Sequence, residues 1–558
     1  MSPKYKKPRY NTVLVFMLLI LAPLYGGYYL FSNLLCGVCL IFLLLYNIHR
    51  THGLILPIGV EAVCLYVLSL CHLASIPFSV NCGMAFIGFL RTLVWIVFFL
   101  CANFYSQEER QAMLDAVAWE GAILSMVFSI LFVFNQILGN QDMNGRIDGS
   151  FQYANTWAVF QLICLIWLAT RAKRTIANQI AVVVLLSGIC LTGSRSVLAL
   201  LFLLAIAGFS QYLKRNKPLR PLIQIVCGAV ISFIISEFFS RGLLLERLLA
   251  IPYSSSLNGR LLYNLDGFQM LLKHPLGIGH GGYLYLQALE QTGVYTTKFV
   301  HNEFLQFAID AGILAGVFAV GMVFSILLRP NLSLAERIVI FVITAHASVD
   351  FDFQFLIIIY LLLLCGAGGK TRFISFSSQK AYRLTGTTGT LLICCLAYFS
   401  AVYYLDFSGK LAWPWFPADL ELAEKYLNSF SSPMEAEETA QKILDSTELS
   451  MVAWDCEYAV AALRGDTAKM VQTKYQYLRL NRYRGDVYAD FTALLEKASA
   501  SCGQAELSAY QNLAIAAIQQ LEEVRERTSP LAYRIVDKPE LDFAEAIIIR
   551  LKRIAKKE

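Results

Sequence analysis

Residues 84–102 read MAFIGFLRTLVWIVFFLCA, nineteen positions with a single charge, Arg91. A run of about 18 or more apolar residues is long enough to cross the hydrocarbon core of a bilayer as a helix. Thr12–Leu24, Leu30–Ile48 and Leu54–Ile76 are further long apolar runs. Counted in this way the chain has about 13 spans, centred near residues 18, 38, 65, 93, 125, 162, 184, 204, 229, 315, 341, 360 and 396. The predicted fold class is therefore all-α, a polytopic membrane helix bundle. Composition points the same way: of 558 residues 57% are hydrophobic and 15% charged, against about 45–50% and about 25% in soluble domains. The formal charge of +6 then carries no nucleic-acid signal, because the basic residues sit in short loops between spans, and no nucleic-acid partner is expected.

Those loops sort into two sets. One holds Lys4–Arg9, Arg50, Arg110, Arg171–Arg174, Lys214–Lys217, Arg329, Arg337 and Lys370–Arg383. The alternate set holds Gly26-Gly27, Ser79–Asn81, Gln141–Tyr153, Gly193–Ser196, Phe239–Asn302 and Asp350–Gln354. Lys and Arg mark the cytoplasmic side, so the second set faces outward, together with everything after the last span. The cationic N-terminus ahead of an apolar run has the look of a signal peptide, but no small-residue cleavage site stands out.

Chemistry is expected in the outward set. Asn258–Gly316 passes through the turn cluster His274-Pro275-Leu276-Gly277-Ile278-Gly279-His280-Gly281-Gly282 and ends with His301-Asn302-Glu303 at the mouth of an apolar helix. Arg146, Arg195 and Arg260 come from three different outward loops. Guanidinium groups grip phosphate through forked, charge-assisted hydrogen bonds, so a converging set suits an anionic lipid head group. The plainer reading is that they pair with Asp148, Glu246 or Asp266. His301 is the candidate base, since imidazole takes a proton near neutral pH, and Asn302 is placed to cap the helix that follows. Asn302, Lys273 and His346 join the substrate-binding candidates, and His274 and His280 are read as turn residues. Charges inside spans, Arg91, Glu61, Glu120 and Asp310, must face a cavity or a partner. Structural pairing is the plain reading for Glu61 and Glu120, whereas Arg91 falls in the outer half of its helix and is a candidate for substrate. No metal or cofactor is expected: the histidines lack the HExxH spacing, and Asp350 with Asp352 alone do not make a metal site.

These pieces together resemble the O-antigen ligase superfamily, which covers lipopolysaccharide O-antigen ligases, polysaccharide polymerases and bacterial protein O-oligosaccharyltransferases. The resemblance runs over roughly residues 10–405. It rests on Arg146-Ile147-Asp148-Gly149-Ser150-Phe151 with Asn155, on Leu191-Thr192-Gly193-Ser194-Arg195-Ser196, and on Gly259-Arg260 through His274-Pro275-Leu276-Gly277-Ile278-Gly279. It continues in His301-Asn302-Glu303-Phe304-Leu305-Gln306 with Asp310-Ala311-Gly312, and in His346 with Asp350. One departure is Ala154, where many members have proline before the asparagine. The resemblance implies a GT-C-like bundle in the bacterial cytoplasmic membrane. There it would move a glycan from an undecaprenyl-pyrophosphate carrier to a hydroxyl on an acceptor glycan, lipid or protein. Arg195 and Arg260 would then hold the pyrophosphate, His301 would orient or deprotonate the acceptor, and Arg146 and Arg91 would support them. Ligation and polymerisation of repeat units use the same donor. A lipid-linked sugar transporter is the alternative of another class, but it calls for inverted repeats and midplane broken helices, and the polar residues here gather at one surface. A non-catalytic scaffold would leave the Arg/His set without a purpose.

Residues 1–405 thus form one predicted domain, with a large outer loop at 239–302, and 406–558 a second. After Leu405 comes an aromatic, Pro-rich junction, Lys410–Pro417, and then charged helical patterns at Asp419–Ser429, Met434–Asp445, Ser450–Leu463, Thr467–Leu480, Val487–Ala498, Glu506–Arg527 and Leu541–Lys556. Part of this resembles a tetratricopeptide hairpin. Such a tail either offers a concave face to an acceptor or simply braces the bundle edge. Of 14 cysteines only Cys456 and Cys502 lie outside the apolar blocks, where they either pair or stand as free thiols.

Overall fold

The computed structural model describes residues 12–138, 146–171, 175–214, 228, 230–234, 237–238, 245–246, 255–376 and 378–556. The predicted span near 229 lies largely outside the described residues, as do Lys4–Arg9, Ala172–Arg174, Arg215–Lys217 and most of 239–254. The first group of helices is α1 (Thr12–Leu21), α2 (Leu30–Thr51), α3 (Val60–Ser75), α4 (Cys82–Ala102), α5 (Gln107–Ile137), α6 (Ala154–Arg171), α7 (Ile176–Thr192) and α8 (Arg195–Lys214). The second is α9 (Ser255–Lys273), α10 (Gly282–Glu290), α11 (Glu303–Ala311), α12 (Ile313–Leu327), α13 (Leu334–Ala347), α14 (Leu356–Gly366) and α15 (Gln379–Phe407). Each of the other predicted span centres falls inside one of these helices. Five of the helices are long and apolar enough to cross a membrane, and five more are shorter apolar helices. The protein is a membrane helix bundle.

At the centre stands α14, LIIIYLLLLCG, every residue of which is buried. A helix apolar all round has no face to give to solvent and is enclosed by its neighbours. Here α4 and α13 cover it, and Tyr360 stacks on Phe98 with ring centroids 3.8 Å apart. Around this pillar α2 packs on α15, α3 on α12, and α6 on both α5 and α7.

Among the described residues, loops of the basic set meet one another, as where Gln107 Nε2 donates to Asn331 O at 3.1 Å. The basic end carries one departure from an all-α fold. Gly53–Pro57 pairs antiparallel with Thr371–Ser375, in register from Gly53 opposite Ser375 to Pro57 opposite Thr371. The apolar run Leu54–Ile76 is broken because Pro57 and Gly59 do not extend a helix backward, so α3 starts only at Val60. At the same end the arginines satisfy helix C-terminal carbonyls: Arg329 binds Gly366 and Ala367, and Arg337 reaches Leu327 at 3.0 Å. Ser106 and Ser333 start α5 and α13 with capping boxes to Glu109 and Glu336. Not every buried charge is paired. Among the described residues, Glu120 Oε2 is buried without a partner, contrary to the pairing expected for it.

The other end is assembled by the glycine-rich turn. Ile278 and Gly279 donate to Ile309 and Asp310 at 2.9 Å each, and Ile313 donates to Pro275. Thus 275–279 crosses the point where α11 breaks into α12. Gly312 makes that break at φ +91°, and a Cβ on Gly277, at φ +90°, would lie 2.6 Å from its nitrogen. Only glycines allow so close an approach of two backbones. Of the predicted outer loop, the described part is mostly helical, as α9 and α10, rather than irregular.

All seven helices expected in the tail are present: α16 (Leu420–Leu427), α17 (Pro433–Ser446), α18 (Met451–Arg464), α19 (Thr467–Leu480), α20 (Gly485–Ser501), α21 (Gln504–Arg527) and α22 (Ala544–Ala555). The tail is seated on α9, α10 and the loop that follows α10. Ala532 and Ile535 pack with Leu262 and Tyr295, Arg482 donates to Leu289 O, and Tyr285 donates to Glu424. Cys456 and Cys502 are free thiols.

Candidate functional site

Four segments far apart in sequence meet at Asp350. Its side chain is fully buried, and a buried carboxylate is tolerated only when its oxygens are satisfied. They are. Arg260 Nη2 donates to Oδ2 at 2.8 Å and Asn155 Nδ2 at 2.9 Å. Tyr153 Oη donates to Oδ1 at 2.8 Å, Phe351 N donates at 3.0 Å, and His301 Nδ1 lies 3.0 Å away. Burial alone would raise the carboxyl pKa. The Arg260 charge, with the His301 hydrogen bond, reverses this and holds Asp350 well below the usual carboxylate range.

Each donor is placed by local structure. Arg260 projects from the first turns of α9, which α11 and the tail segment Pro530–Arg534 hold in position. Asn155 and Tyr153 straddle the start of α6. His301 sits at φ +57°, a left-handed conformation rare outside glycine, directly before Asn302, whose side chain caps α11 at Leu305 N. Asn302 Nδ2 also donates to Asn264. The ring of His301 lies edge-on to Phe351, centroids 5.0 Å apart. With Nδ1 committed to Asp350, Nε2 is the nitrogen left for a substrate.

These groups line a cavity of about 500 Å³ whose cationic wall is Arg146, Arg195 and Arg260, with His301, Asn155 and Ser196 beside them. Among the described residues, no carboxylate lines it. Arg146 is anchored to Thr192 O at 2.6 Å and to Asn155 Oδ1 at 2.9 Å. Among the described residues no carboxylate pairs with Arg195, so its fork faces the cavity free of a counterion. Two of these groups take other partners. Arg260 pairs with Asp350, and Asp266 is instead bound by Thr292 and Tyr295.

Other predicted site residues fall elsewhere. His346 is fully buried behind the cavity wall, with Nδ1 2.6 Å from Asp352 Oδ2 and Nε2 2.9 Å from Ser196 Oγ; Thr156 also donates to Asp352. Of these it is Ser196 that reaches the cavity. Lys273, at the far end of α9, pairs with Glu290 and lines neither this cavity nor the next. Arg91 lines a second cavity, where its Nη1 meets Gln354 Oε1 at 2.8 Å and His280 Nε2 at 3.1 Å. His280 is thus more than a turn residue: its Nδ1 lies 3.1 Å from Asp310, and burial holds its pKa down against that bond. Sequence reading overlooked Asp350 as the hub and the Ser196–His346–Asp352 chain. The available signal was two aspartates, in HASVDFDF, between apolar runs where an unsatisfied carboxylate is costly.

Comparison with known proteins places part of the chain beside a known family. A family model described as O-Antigen ligase matches residues 180–320. That stretch contains Arg195, Arg260, His301 and the glycine-rich turn. No curated protein matches the chain, and no solved structure does.

Proposed function

We propose that this chain, whose residues 180–320 match a family model described as O-Antigen ligase, is a transferase that moves a glycan from an undecaprenyl-diphosphate carrier to an acceptor hydroxyl at the outer face of the bacterial cytoplasmic membrane. The observation that carries this reading is one buried carboxylate, Asp350, seating both Arg260 and His301 on the wall of a cavity that also holds Arg195 and Arg146.

The chemistry follows from those positions. Arg195 and Arg260 take the diphosphate oxygens, and an all-cationic wall in a low-dielectric site favours the charge that grows on them. The acceptor oxygen attacks the anomeric carbon. The bond from that carbon to the diphosphate oxygen breaks, and its electron pair leaves with the diphosphate. The acceptor proton passes to His301 Nε2, and Asp350 stabilises the imidazolium as it forms. Ser196, held by His346, offers a hydroxyl to a phosphate oxygen. Binding of the acidic carrier here leaves the Lys- and Arg-rich end of the bundle in the cytoplasm, in accord with the positive-inside tendency, and puts the tail outside with the cavity.

The test uses purified full-length protein and a lipid-diphosphate-linked glycan, with Arg195, Arg260 and His301 changed singly to Ala. Transfer should fall sharply in each. Full transfer in all three would remove the proposal. Sizing the product separates ligation from polymerisation, since a ladder of longer lipid-linked chains marks a polymerase.

A further inference from the structure

A second cavity, of about 370 Å³, lies between the bundle and the start of the tail. It shares no lining residue with the arginine cavity. Its size is within the range of small-molecule sites, about 300–1,000 Å³. Phe299 and Phe351 bridge from one to the other. Phe299 lines the second cavity and packs on Phe351 at 5.0 Å, and Phe351 meets the His301 ring at 5.0 Å.

Its chemistry differs from that of the first. The apolar surface is largely aromatic: Tyr28, Tyr29, Phe299, Tyr403 and Phe407 line it. The charges balance, with Arg91, Lys298 and Lys425 facing Asp406, Asp419 and Glu421. Several are already fixed by one another: Lys298 to Glu421 at 3.0 Å, and Lys425 to Asp406 at 2.8 Å. At its floor Arg91 is 7% exposed, and its Nε is buried without a partner, although Nη1 is engaged twice.

A phosphate would gain little from a charge-balanced rim, and an acyl chain would leave these polar groups unsatisfied. A sugar ring fits both features. Its C–H faces lie against the negative faces of aromatic rings, while its hydroxyls donate to carboxylates and accept from guanidinium and ammonium groups. We infer that this cavity is a saccharide subsite whose outer wall is supplied by the tail helix α16. The inference rests on the proposed transfer for its source of sugar, which is either the donor's glycan or a glycan acceptor. The tail then acts as part of the binding site, and Lys298–Glu421 and Lys425–Asp406 hold its wall closed.

The direct test is saturation-transfer NMR on the purified full-length protein, with free mono- to tetrasaccharides of hexoses and N-acetylhexosamines as probes. Ring protons of at least one probe should receive saturation in the wild type. Phe407→Ala and Glu421→Gln should each weaken that binding roughly tenfold, the equivalent of one lost contact of ordinary strength. Arg195→Ala, at a residue that lines only the arginine cavity, should leave it intact. Phe407→Leu, which keeps bulk but not the ring, guards against a folding defect and should weaken binding as well. In transfer assays the same variants should raise the KM of one substrate about tenfold with kcat nearly unchanged; a donor effect assigns the subsite to the carrier's glycan, an acceptor effect to the acceptor. Absence of binding by every probe, binding indifferent to both cavity variants, or binding lost in Arg195→Ala would overturn the subsite. Probe binding of the expected pattern in a protein without transfer activity would strike only the proposed reaction.

Discussion

His301 Nδ1 lies 3.0 Å from Asp350 Oδ1, a carboxylate with no solvent exposure. This contact fixes the ring and presents Nε2 to the arginine cavity. Replacing Asp350 by Asn turns one of the hub's acceptors into a donor and favours the wrong tautomer of His301. General-base assistance contributes about 10²–10⁴-fold to rate. Asp350→Asn should therefore lower kcat within that range, with a smaller effect on donor KM, in steady-state transfer assays.

Arg195 and Arg260 line one cavity but differ in what they hold. Arg260 neutralises Asp350, whereas no carboxylate among the described residues pairs with Arg195. Breaking a buried ion pair by removing one partner costs about 3–5 kcal/mol. Arg260→Ala should lose both transfer and thermal stability, the latter toward the low end of that range because Tyr153, Asn155 and His301 still serve Asp350. Arg195→Ala should lose transfer and keep its melting temperature. Arg195→Lys, which keeps the charge without the fork, should recover only part of the activity.

His346 and Asp352 are both fully buried and 2.6 Å apart. His346→Ala should destabilise the protein by about 3–5 kcal/mol, since it strands a buried carboxylate. Ser196→Ala should leave stability almost unchanged and raise donor KM modestly, because Ser196 Oγ is the member of the chain that lines the cavity. Thermal unfolding beside kinetics separates the two roles.

Asp350 also sets a pH dependence. Its pKa is lower in the folded protein than the unfolded value of about 3.9. The sign follows: its contribution to stability is complete above about pH 4 and is lost as pH falls through the depressed folded value. The stability gap between wild type and Asp350→Asn should be constant from pH 7 to pH 5 and close below about pH 4, as read by thermal unfolding in detergent.

Sequence and structure agree where the physics is local. Apolar run length placed α4 and α14, and helical periodicity placed all seven tail helices, because each signal lies within one segment. Asn302 was recognisable as a cap for the same reason. The ribbon Gly53–Pro57 with Thr371–Ser375 was not, since its pairing spans most of the chain. The site divides likewise. Arg195, Arg260 and His301 stood out as polar residues in outward turns. The common anchor of Arg260 and His301, Asp350, depends on the approach of α6, α9 and the 348–354 loop, which no single segment records. Arg91 was rightly seen as needing a partner or a cavity, but which of two cavities it enters is decided by how α4 sits against the 275–281 turn and the tail.

The central claim is that His301, aimed by Asp350, takes the acceptor proton while the arginines hold the diphosphate. Single-turnover transfer from a defined undecaprenyl-diphosphate glycan, at saturating donor, by wild type and His301→Ala tests it most directly. The account predicts donor affinity within about threefold of wild type and transfer slower by about 10²-fold or more. Transfer by His301→Ala at the wild-type rate would contradict it.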